Sequence, residues 1–207
     1  MRTHTKETQH ILTPELALDI LKEGNARFVN NIKAHRNLLE QVNETSTGQF
    51  PFAAILSCID SRTSAELIFD QGLGDVFSIR IAGNILNEDI LGSMEFACKM
   101  AGSKLIVVLG HTKCGAIEGA CNNISLGNIT TLLNKVKPAI DLETETTDNR
   151  TGSNLSFVQN VTRNNVTITV QKIKEQSPIL KELEDAGEIR IVGGLYDLDT
   201  GHVTFYA

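Results

Sequence analysis

Short runs of consecutive apolar residues alternate along this chain with longer stretches in which apolar residues recur every three or four positions. The short runs end in polar residues or glycine and have the length of buried β-strands. They cover residues 52–56, 76–81, 104–109, 189–195 and 203–206, and the last two are joined by a predicted turn over 197–201. Strands that alternate with helices indicate βαβ units and a mostly parallel sheet, so this pattern predicts an α/β fold.

The longer periodic stretches predict the helices. Thr13 and Pro14 suit the N-cap and the first position of a helix, and an apolar stripe follows them. Further helices are predicted over 38–48, 65–71, 90–101, 129–140, 154–175 and 178–187, with another that begins near residue 114. Over residues 166–170 the β-branched side chains make a strand the competing interpretation. Residues 143–152 are polar without an apolar period and are predicted to form a loop.

The 207 residues suit a single domain, 1–207, which we divide into an N-terminal helical arm over 1–48 and an α/β core over 49–207. The helices of the arm precede the first strand, so they are not crossovers of the sheet and could pack on a neighbouring subunit. A net charge of −6 without a basic run argues against a nucleic-acid partner. The absence of an 18-residue apolar run predicts no membrane span, and the polar residues 1–10 lack a signal peptide's apolar stretch, so a cytoplasmic location is expected.

Two clusters of reactive side chains follow two of the predicted strands. Residues 58–62, CIDSR, place a thiol, a carboxylate and a guanidinium at the end of the first strand. Residues 110–115, GHTKCG, add an imidazole and a second thiol after the third strand. Ligands of open α/β sheets bind beyond the carboxyl ends of the strands, where the strand order reverses. If the two strands are neighbours, Cys58, His111 and Cys114 converge.

Thiolate sulfur and imidazole nitrogen are ligands that zinc favours. We therefore predict that Cys58, His111 and Cys114 hold one zinc ion, and three protein ligands leave its fourth position open, as in catalytic zinc sites. Asp60 and Arg62 lie two and four residues from Cys58. We assign them to act on whatever occupies the open position.

Other zinc-based interpretations compete with this one. A structural zinc site would need a fourth protein ligand, which Cys98, Cys121 or Asp60 could supply. Burial as small hydrophobic residues is the favoured interpretation of Cys98 and Cys121. A nicotinamide-dependent zinc dehydrogenase is disfavoured because no glycine-rich phosphate loop follows any predicted strand.

Two interpretations without zinc also stay open. Cys114 and His111 could form a nucleophile pair for acyl transfer, although that role leaves Cys58 unexplained. Asp60 and Arg62 could form an ordinary surface ion pair, which would have no chemical role. Their closeness to a proposed metal ligand argues against that interpretation.

Together, the CIDSR and GHTKCG motifs resemble the signature of the β-class carbonic anhydrases. The likeness extends over about residues 48–206 and includes residues 80–84, RIAGN, and residues 188–193, EIRIVG. The resemblance implies four parallel strands plus an antiparallel edge strand, flanked by helices, with N-terminal helices lying over a partner subunit. It also implies one zinc ion per chain, and homodimers that can pair into homotetramers. In that family the ligands would be Cys58, His111 and Cys114, and Asp60 and Arg62 would form a catalytic pair.

The activity implied by the resemblance is the reversible hydration of CO2 to bicarbonate and a proton by zinc-bound hydroxide, the lyase reaction of a carbonate dehydratase. Asp60 would accept a hydrogen bond from the hydroxide, and Arg62 would hold Asp60 off the metal and keep it ionised. No proton shuttle is assigned, since His35 and His202 are expected at the surface. The alternatives are a hydrolase of a CO2 analogue such as carbon disulfide and a non-catalytic zinc module.

Substrate contacts are predicted from the same resemblance. Gln49 matches a family glutamine that hydrogen-bonds substrate, and Gly83 permits a close approach of backbone to the site. Because CO2 carries no charge to anchor it, apolar side chains are expected to form the pocket wall. The candidates are Ile55, Phe77, Ile81 and Phe96.

Some members of the family close the site by placing the aspartate of the pair on zinc. A bicarbonate site made by a tryptophan, an arginine and a tyrosine favours that closed state. Arg80 matches the arginine, but Ile55 and Phe96 stand where the tryptophan and the tyrosine would be. We therefore predict the open form, in which Asp60 is bound to Arg62 and water occupies the fourth position on zinc.

Overall fold

The computed structural model describes residues 3–206, and its centre is a five-stranded sheet. The strands, in chain order, are β1 (Ala53–Ser57), β2 (Val76–Arg80), β3 (Leu105–His111), β4 (Arg190–Tyr196) and β5 (Val203–Phe205). Their spatial order is β2-β1-β3-β4-β5, with the first four parallel and β5 antiparallel to β4 at one edge. The predicted fold class is confirmed.

Helices cover both faces of this sheet. In chain order they are α1 (Lys6–His10), α2 (Pro14–Val29), α3 (Leu38–Thr45), α4 (Ala65–Ile68), α5 (Glu88–Glu95), α6 (Gly115–Cys121), α7 (Gly127–Asn134), α8 (Lys137–Leu142), α9 (Leu155–Gln176) and α10 (Pro178–Asp185). A 3₁₀ turn, Ala82–Asn84, follows β2, and a π-helical turn, Phe96–Met100, continues α5. Within residues 3–206, no helix has both the length and the apolar character needed to cross a membrane.

Helix α9 occupies the region for which two structures were considered. All of Leu155–Gln176 is helical, so the strand interpretation of residues 166–170 is wrong. The buried residues of α9 recur every three or four positions, from Val158 through Thr162 and Val166 to Thr169, and pack over the sheet and its loops. This tertiary burial outweighs the β preference of the branched side chains.

The structure differs from the predicted helices in two places. It contains a helix, α1, that the apolar pattern does not reveal, and one predicted helix is divided into two. The polar helix α1 is held by a capping box, in which Thr5 N donates to Thr8 Oγ1 and Thr8 N donates to Thr5 Oγ1. The single helix predicted over 129–140 is two helices, α7 and α8. Pro138 stands in the first turn of α8, where its ring favours a new helix start.

Every residue of β1 and β3 is buried because helices cover both faces of the sheet. One face packs against α2 and α4, and the other packs against α5, α9 and α10. Strands buried on both faces have continuous apolar sequences rather than alternating ones, which explains the short apolar runs. The carboxyl ends of these two central strands therefore emerge from a rigid support.

The two longer helices of the predicted N-terminal arm differ in what they cover. Helix α2 buries Ala17, Leu18 and Leu21 against the sheet of its own chain. Helix α3 leaves Leu38 and Leu39 exposed, at 57% and 73% of their surface. Contact of the arm with a neighbouring subunit stays a prediction, and α3 is the helix with an exposed apolar face to make it.

Asp70 ties this N-terminal segment to the core. Its carboxylate accepts hydrogen bonds from Arg27 Nε at 2.6 Å, Arg36 Nη1 at 2.7 Å and Ala34 N at 3.0 Å. Burial raises the pKa of the Asp70 carboxyl, but these donors outweigh it and the net pKa lies below the ordinary value. The ionised carboxylate therefore stabilises the folded chain.

Candidate metal centre

The sheet topology brings the three predicted zinc ligands together. Strands β1 and β3 are adjacent; Cys58 directly follows β1 and His111 is the last residue of β3. Cys114 is the N-cap residue of α6, three residues further along the chain. The donor atoms of these three side chains all lie within 4.8 Å of one another, and the sulfur atoms of Cys58 and Cys114 are 4.0 Å apart. All three residues are buried.

The donor set fits a zinc ion. Two sulfur atoms bound at ~2.3 Å to a tetrahedral ion are about 3.8 Å apart, close to the observed separation. His111 Nδ1 lies 2.9 Å from the Thr112 carbonyl oxygen. Because a carbonyl can only accept, Nδ1 carries the proton and the lone pair is on Nε2. That Nε2 is buried and has no hydrogen-bond partner in the described residues, which is the arrangement a metal ligand requires.

The two thiols share their ionisation unequally. Hydrogen bonding with Cys114 lowers the pKa of Cys58 to about 4 despite its burial, and the Gly83 N–H also lowers it. The same sulfur–sulfur contact, together with burial, raises the pKa of Cys114. A buried pair of this kind carries one negative charge readily, whereas a second charge needs a cation to balance it.

The described residues offer this cluster no fourth protein ligand. The group of potential ligand atoms contains neither another cysteine nor a carboxylate. Cys98 is buried in another part of the core, whereas Cys121 shares the hydrophobic cluster of Cys58 and Cys114 but is outside their ligand group. Burial raises the pKa of Cys98 to about 12 and that of Cys121 to about 11. They behave as small hydrophobic residues, which agrees with their favoured interpretation and removes the basis for a four-ligand structural zinc.

Asp60 and Arg62 form a two-pronged ion pair beside the cluster. Arg62 Nε donates to Asp60 Oδ1 at 2.9 Å and Arg62 Nη2 donates to Asp60 Oδ2 at 2.7 Å. The backbone N–H of Arg62 donates the third hydrogen bond of the pair, also to Oδ1, at 2.9 Å. This guanidinium holds the pKa of the Asp60 carboxyl well below its usual range. The carboxylate is thus paired with Arg62, as the predicted open form requires.

Arg80 and Thr63 hold the loop that carries Cys58 and Asp60, a role that sequence reasoning missed. Arg80 Nε donates to the Cys58 carbonyl at 3.0 Å, and its Nη2 donates to the Asp60 carbonyl at 2.6 Å. Thr63 Oγ1 lies 3.0 Å from the Cys58 carbonyl and 2.9 Å from the Asp60 carbonyl, which both accept from it. Arg80, which matches the arginine of the family's bicarbonate site, therefore has a structural role in the loop. Ile55, at the position of that site's tryptophan, is fully buried in the core.

Gly83 brings backbone to the metal cluster, as the sequence predicts. Its N–H donates to Cys58 Sγ at 3.3 Å. Gly83 has a φ of +68°, in the left-handed region that other residues rarely adopt. A Cβ at this position would also lie 3.3 Å from the Ala116 side chain. Glycine thus satisfies both the conformation and the close approach.

Three predicted substrate residues lie away from the cluster of their own chain. Gln49 is exposed and precedes β1, whose opposite end carries Cys58, so about 17 Å of strand separates the two. Phe77 is paired with Ala54, roughly 13 Å of strand before Cys58. Phe96 packs edge-to-face on Phe77 with ring centroids 6.3 Å apart and is 55% exposed. Their roles toward substrate stay predictions.

Comparison with known proteins agrees with this geometry. The family described as "Carbonic anhydrase" matches residues 53–203. Carbonic anhydrase 2 of Mycobacterium tuberculosis is 38% identical over 194 residues, covering 91% of this chain and 90% of that protein. The β-carbonic anhydrase CcaA has 25% identity and a TM-score of 0.71, covering 92% of this chain and 95% of that one.

A second solved structure has the same fold at lower identity. It comes from a study of two tetrameric β-carbonic anhydrases of the ascomycete Sordaria macrospora, and has 22% identity and a TM-score of 0.71. The match covers 98% of each chain. Since the family match spans most of the chain and the M. tuberculosis relative is similar over nearly its whole length, the chain belongs to the β-class carbonic anhydrase family.

Proposed function

We propose that this chain hydrates CO2 reversibly to bicarbonate and a proton, with one Zn²⁺ held by Cys58, His111 and Cys114. Membership of the family supports both the reaction and the ion. The single observation that carries the assignment is the buried His111 Nε2, which has no hydrogen-bond partner in the described residues, on a side chain whose ligand atom lies within 4.8 Å of two sulfur atoms.

The three ligands set the charge of the centre. Two thiolates and one neutral imidazole balance the charge of a divalent cation, so the centre as a whole is neutral. Zn²⁺ bound there supplies a Lewis acid that acidifies a coordinated water molecule. The Thr112 carbonyl fixes the tautomer and the ring orientation of His111, so that its Nε2 faces the sulfur atoms without rearrangement.

Asp60 is proposed to orient the attacking oxygen. Arg62 donates two hydrogen bonds to Oδ1 and one to Oδ2 and keeps the group ionised, and Oδ2 retains further acceptor capacity. A carboxylate held in this way accepts a hydrogen bond from the nucleophile and directs its lone pair toward carbon. Because the pKa of Asp60 is held low, the residue acts as an acceptor and does not remove the proton.

We also propose a homodimer in which Gln49, Phe77 and Phe96 of one chain complete the substrate pocket of its partner. The support is their position, since they lie far from their own cluster, with Phe77 on the outer strand β2 and Phe96 packed against Phe77. Phe96 exposes 55% of its surface there. An apolar surface at a sheet edge favours burial by another chain. Assembly of two dimers into a tetramer and a cytoplasmic location stay predictions.

The direct test measures zinc content and CO2 hydration on the same purified sample. The wild-type chain is expected to hold one zinc ion and to hydrate CO2, and Cys58→Ser is expected to lose both. Cys121→Ser is the matched control, because Cys121 is buried to the same extent, with 4% of its surface exposed, but is outside the ligand group. Full turnover by the Cys58→Ser variant would refute the proposed site.

The same samples distinguish the CO2 analogue. Carbon disulfide turnover is expected to be far below CO2 turnover in the wild-type enzyme. A preference for carbon disulfide would instead assign the hydrolase function on the same metal centre. Zinc binding without turnover of either substrate would indicate a non-catalytic zinc module.

A further inference from the structure

Asn165 is a buried amide in the middle of a helix face that is otherwise largely apolar. It stands on α9 next to Val166 and four residues after Val161, both fully buried, and only 3% of its own surface is exposed. A buried amide is unfavourable unless it is hydrogen-bonded. Its partner therefore explains why a polar residue is tolerated at this position.

The partner of Asn165 is the backbone that contacts the metal cluster. Asn165 Nδ2 donates to the Gly83 carbonyl oxygen at 2.9 Å. Gly83 N in turn donates to Cys58 Sγ at 3.3 Å. Two hydrogen bonds and one glycine thus connect the centre of α9 to a proposed zinc ligand.

Gly83 transmits this connection because its N–H and carbonyl belong to the two peptide planes on either side of one left-handed residue. A glycine has no Cβ to restrict rotation about these planes. The plane of the Gly83 carbonyl is held within the turn by Asn84 N, which donates to Ile81 O at 2.9 Å, and Asn165 adds a side-chain hydrogen bond to the same plane. The N–H side is then left in the orientation that meets Cys58 Sγ.

Other polar residues of α9 have different partners. Thr162 Oγ1 donates to Val158 O at 2.8 Å, within its own helix. Asn164 Nδ2 donates to Ala139 O at 3.3 Å, in α8, and not to the segment that carries Gly83. Among these side chains, Asn165 makes the contact that reaches the metal ligand.

We propose that Asn165 is a positioning residue of the metal centre, acting through Gly83 on the orientation and hydrogen bonding of Cys58 Sγ. This inference rests on the proposed zinc site. Asn165 touches neither substrate nor metal, so its effect is on how well the ligand set is arranged before the ion binds. Groups that orient metal ligands in this way commonly change metal affinity about 10–100-fold when removed.

The experiment compares Asn165→Ala with Asn164→Ala. Both variants remove a side-chain amide that donates to a backbone carbonyl, and they are adjacent on the same helix. Zinc affinity is measured by competition with a chelator, and we expect Asn165→Ala to weaken it about 10–100-fold. We expect Asn164→Ala to leave the affinity within about twofold of the wild-type value.

Two further measurements separate positioning from general loss of structure. Cobalt-substituted protein is expected to show shifted thiolate-to-cobalt absorption bands in Asn165→Ala but not in Asn164→Ala. Asn165→Leu approximately keeps the volume of the side chain while removing the hydrogen-bond donor. Asn165 lines a cavity of about 410 Å³ together with Ile85 and Ile168. The Asn165→Leu variant is therefore expected to fold and to show the same loss of zinc affinity.

The inference is overturned if Asn165→Ala and Asn165→Leu bind zinc as tightly as the wild-type chain with unshifted cobalt bands. It is equally overturned if Asn164→Ala loses as much affinity as Asn165→Ala. Failure of the underlying zinc site has a different signature, because Cys58→Ser would then retain a full complement of zinc. The two failures are thus distinguishable on the same set of samples.

Discussion

The interior strands β1 and β3 contrast with the outer strand β2. Every residue of β1 and β3 is buried, and the loops beyond their carboxyl ends are held by hydrogen bonds from Arg80, Thr63 and Gly83. None of the five residues of β2 is buried, although the strand carries Val76, Phe77 and Ile79. The two central strands are thus covered within one chain, whereas the outer strand leaves apolar side chains partly exposed.

This difference separates two parts of the chemistry. Metal ligands have to be held rigidly before the ion binds, and buried strand ends provide that rigidity. Contacts to an uncharged substrate need an enclosed apolar wall, and in the proposed homodimer the β2 edge supplies that wall where the partner chain covers it. The contrast therefore predicts that ligand variants act within one chain and that pocket variants act across the dimer.

The largest expected effect comes from a metal ligand at the end of the buried strand β3. His111→Ala removes one of three ligands, so zinc binding and CO2 hydration are both expected to fall to background. Metal analysis and a stopped-flow hydration assay on one sample measure the two together. His202→Ala is the control, since His202 is exposed at the turn between β4 and β5 and is expected to retain both properties. Zinc retained at the wild-type level in His111→Ala would contradict the ligand assignment.

The next effect in size concerns orientation without loss of metal. Asp60→Asn leaves the three ligands intact but removes a charged acceptor, so we expect wild-type zinc content and a kcat lowered on the order of 10²-fold. Asp19→Asn, in an exposed ion pair with Lys22, is the matched control. Unchanged turnover in Asp60→Asn would return the Asp60–Arg62 pair to a purely structural role.

A smaller effect is expected for the proposed pocket residue Gln49, whose action across the dimer can be tested by complementation. Cys58→Ser destroys the metal site of its own chain, and Gln49→Ala is expected to weaken only the partner's site. In a mixed dimer, the chain with the intact metal site receives Gln49 from the Cys58→Ser chain. If equal amounts are dissociated and reassociated at random, half of the dimers are mixed and about a quarter of wild-type activity should return.

The control for this experiment is the same mixture without dissociation, which should show only the low activity of the separate variants. No gain after exchange of subunits would place Gln49 outside the partner's pocket. It would also remove the main support for a substrate site shared between two chains. The zinc assignment would be unaffected by that result.

The smallest expected effect on the site is that of changing Asp70, which holds the N-terminal segment to the core. Asp70→Asn removes a buried charge from Arg27 and Arg36 and is expected to lower the free energy of unfolding by about 2 kcal/mol at pH 7. The folded pKa of Asp70 is lowered, so its stabilisation is present above the unfolded pKa of ~3.9 and is lost as the pH falls through the folded pKa.

The difference between Asp70→Asn and the wild type should therefore shrink below about pH 4, as measured by urea unfolding. Zinc content and kcat at pH 7 are expected to stay unchanged, because Asp70 is remote from the metal loops. Asp19→Asn provides the matched surface control for stability as well. A difference that persists undiminished in acid would mean that Asp70 does not act through its charge.

The metal ligands could be predicted because their positions are a local property of the chain. Cys58 follows a short apolar run, and His111 closes another, so the strand ends that carry them are visible in the sequence. The loop contacts of Arg80 and the hydrogen bond from Asn165 to Gly83 could not be predicted in this way. Their partners are 20 or more residues away, at Asp60 and Gly83, and the contacts depend on how elements pack.

One signal for Asn165 was nevertheless available. It occupies a buried position in the apolar period of α9, where an amide is costly unless it has a partner. The pattern identifies a buried polar residue but not what it binds. For Gln49 and Phe77, the resemblance suggested substrate contacts, and only the fold showed that strand length separates them from the metal cluster of their own chain.

By itself the sequence determined the α/β class, the order of the strands and of most helices, and the three side chains able to hold zinc, because apolar period and residue chemistry are local. The tertiary structure decided that β1 and β3 are neighbours, that α9 is helical throughout, and that Gly83 contacts both Cys58 and Asn165. These features depend on contacts between residues distant in the chain, whose free energy no short stretch of sequence contains.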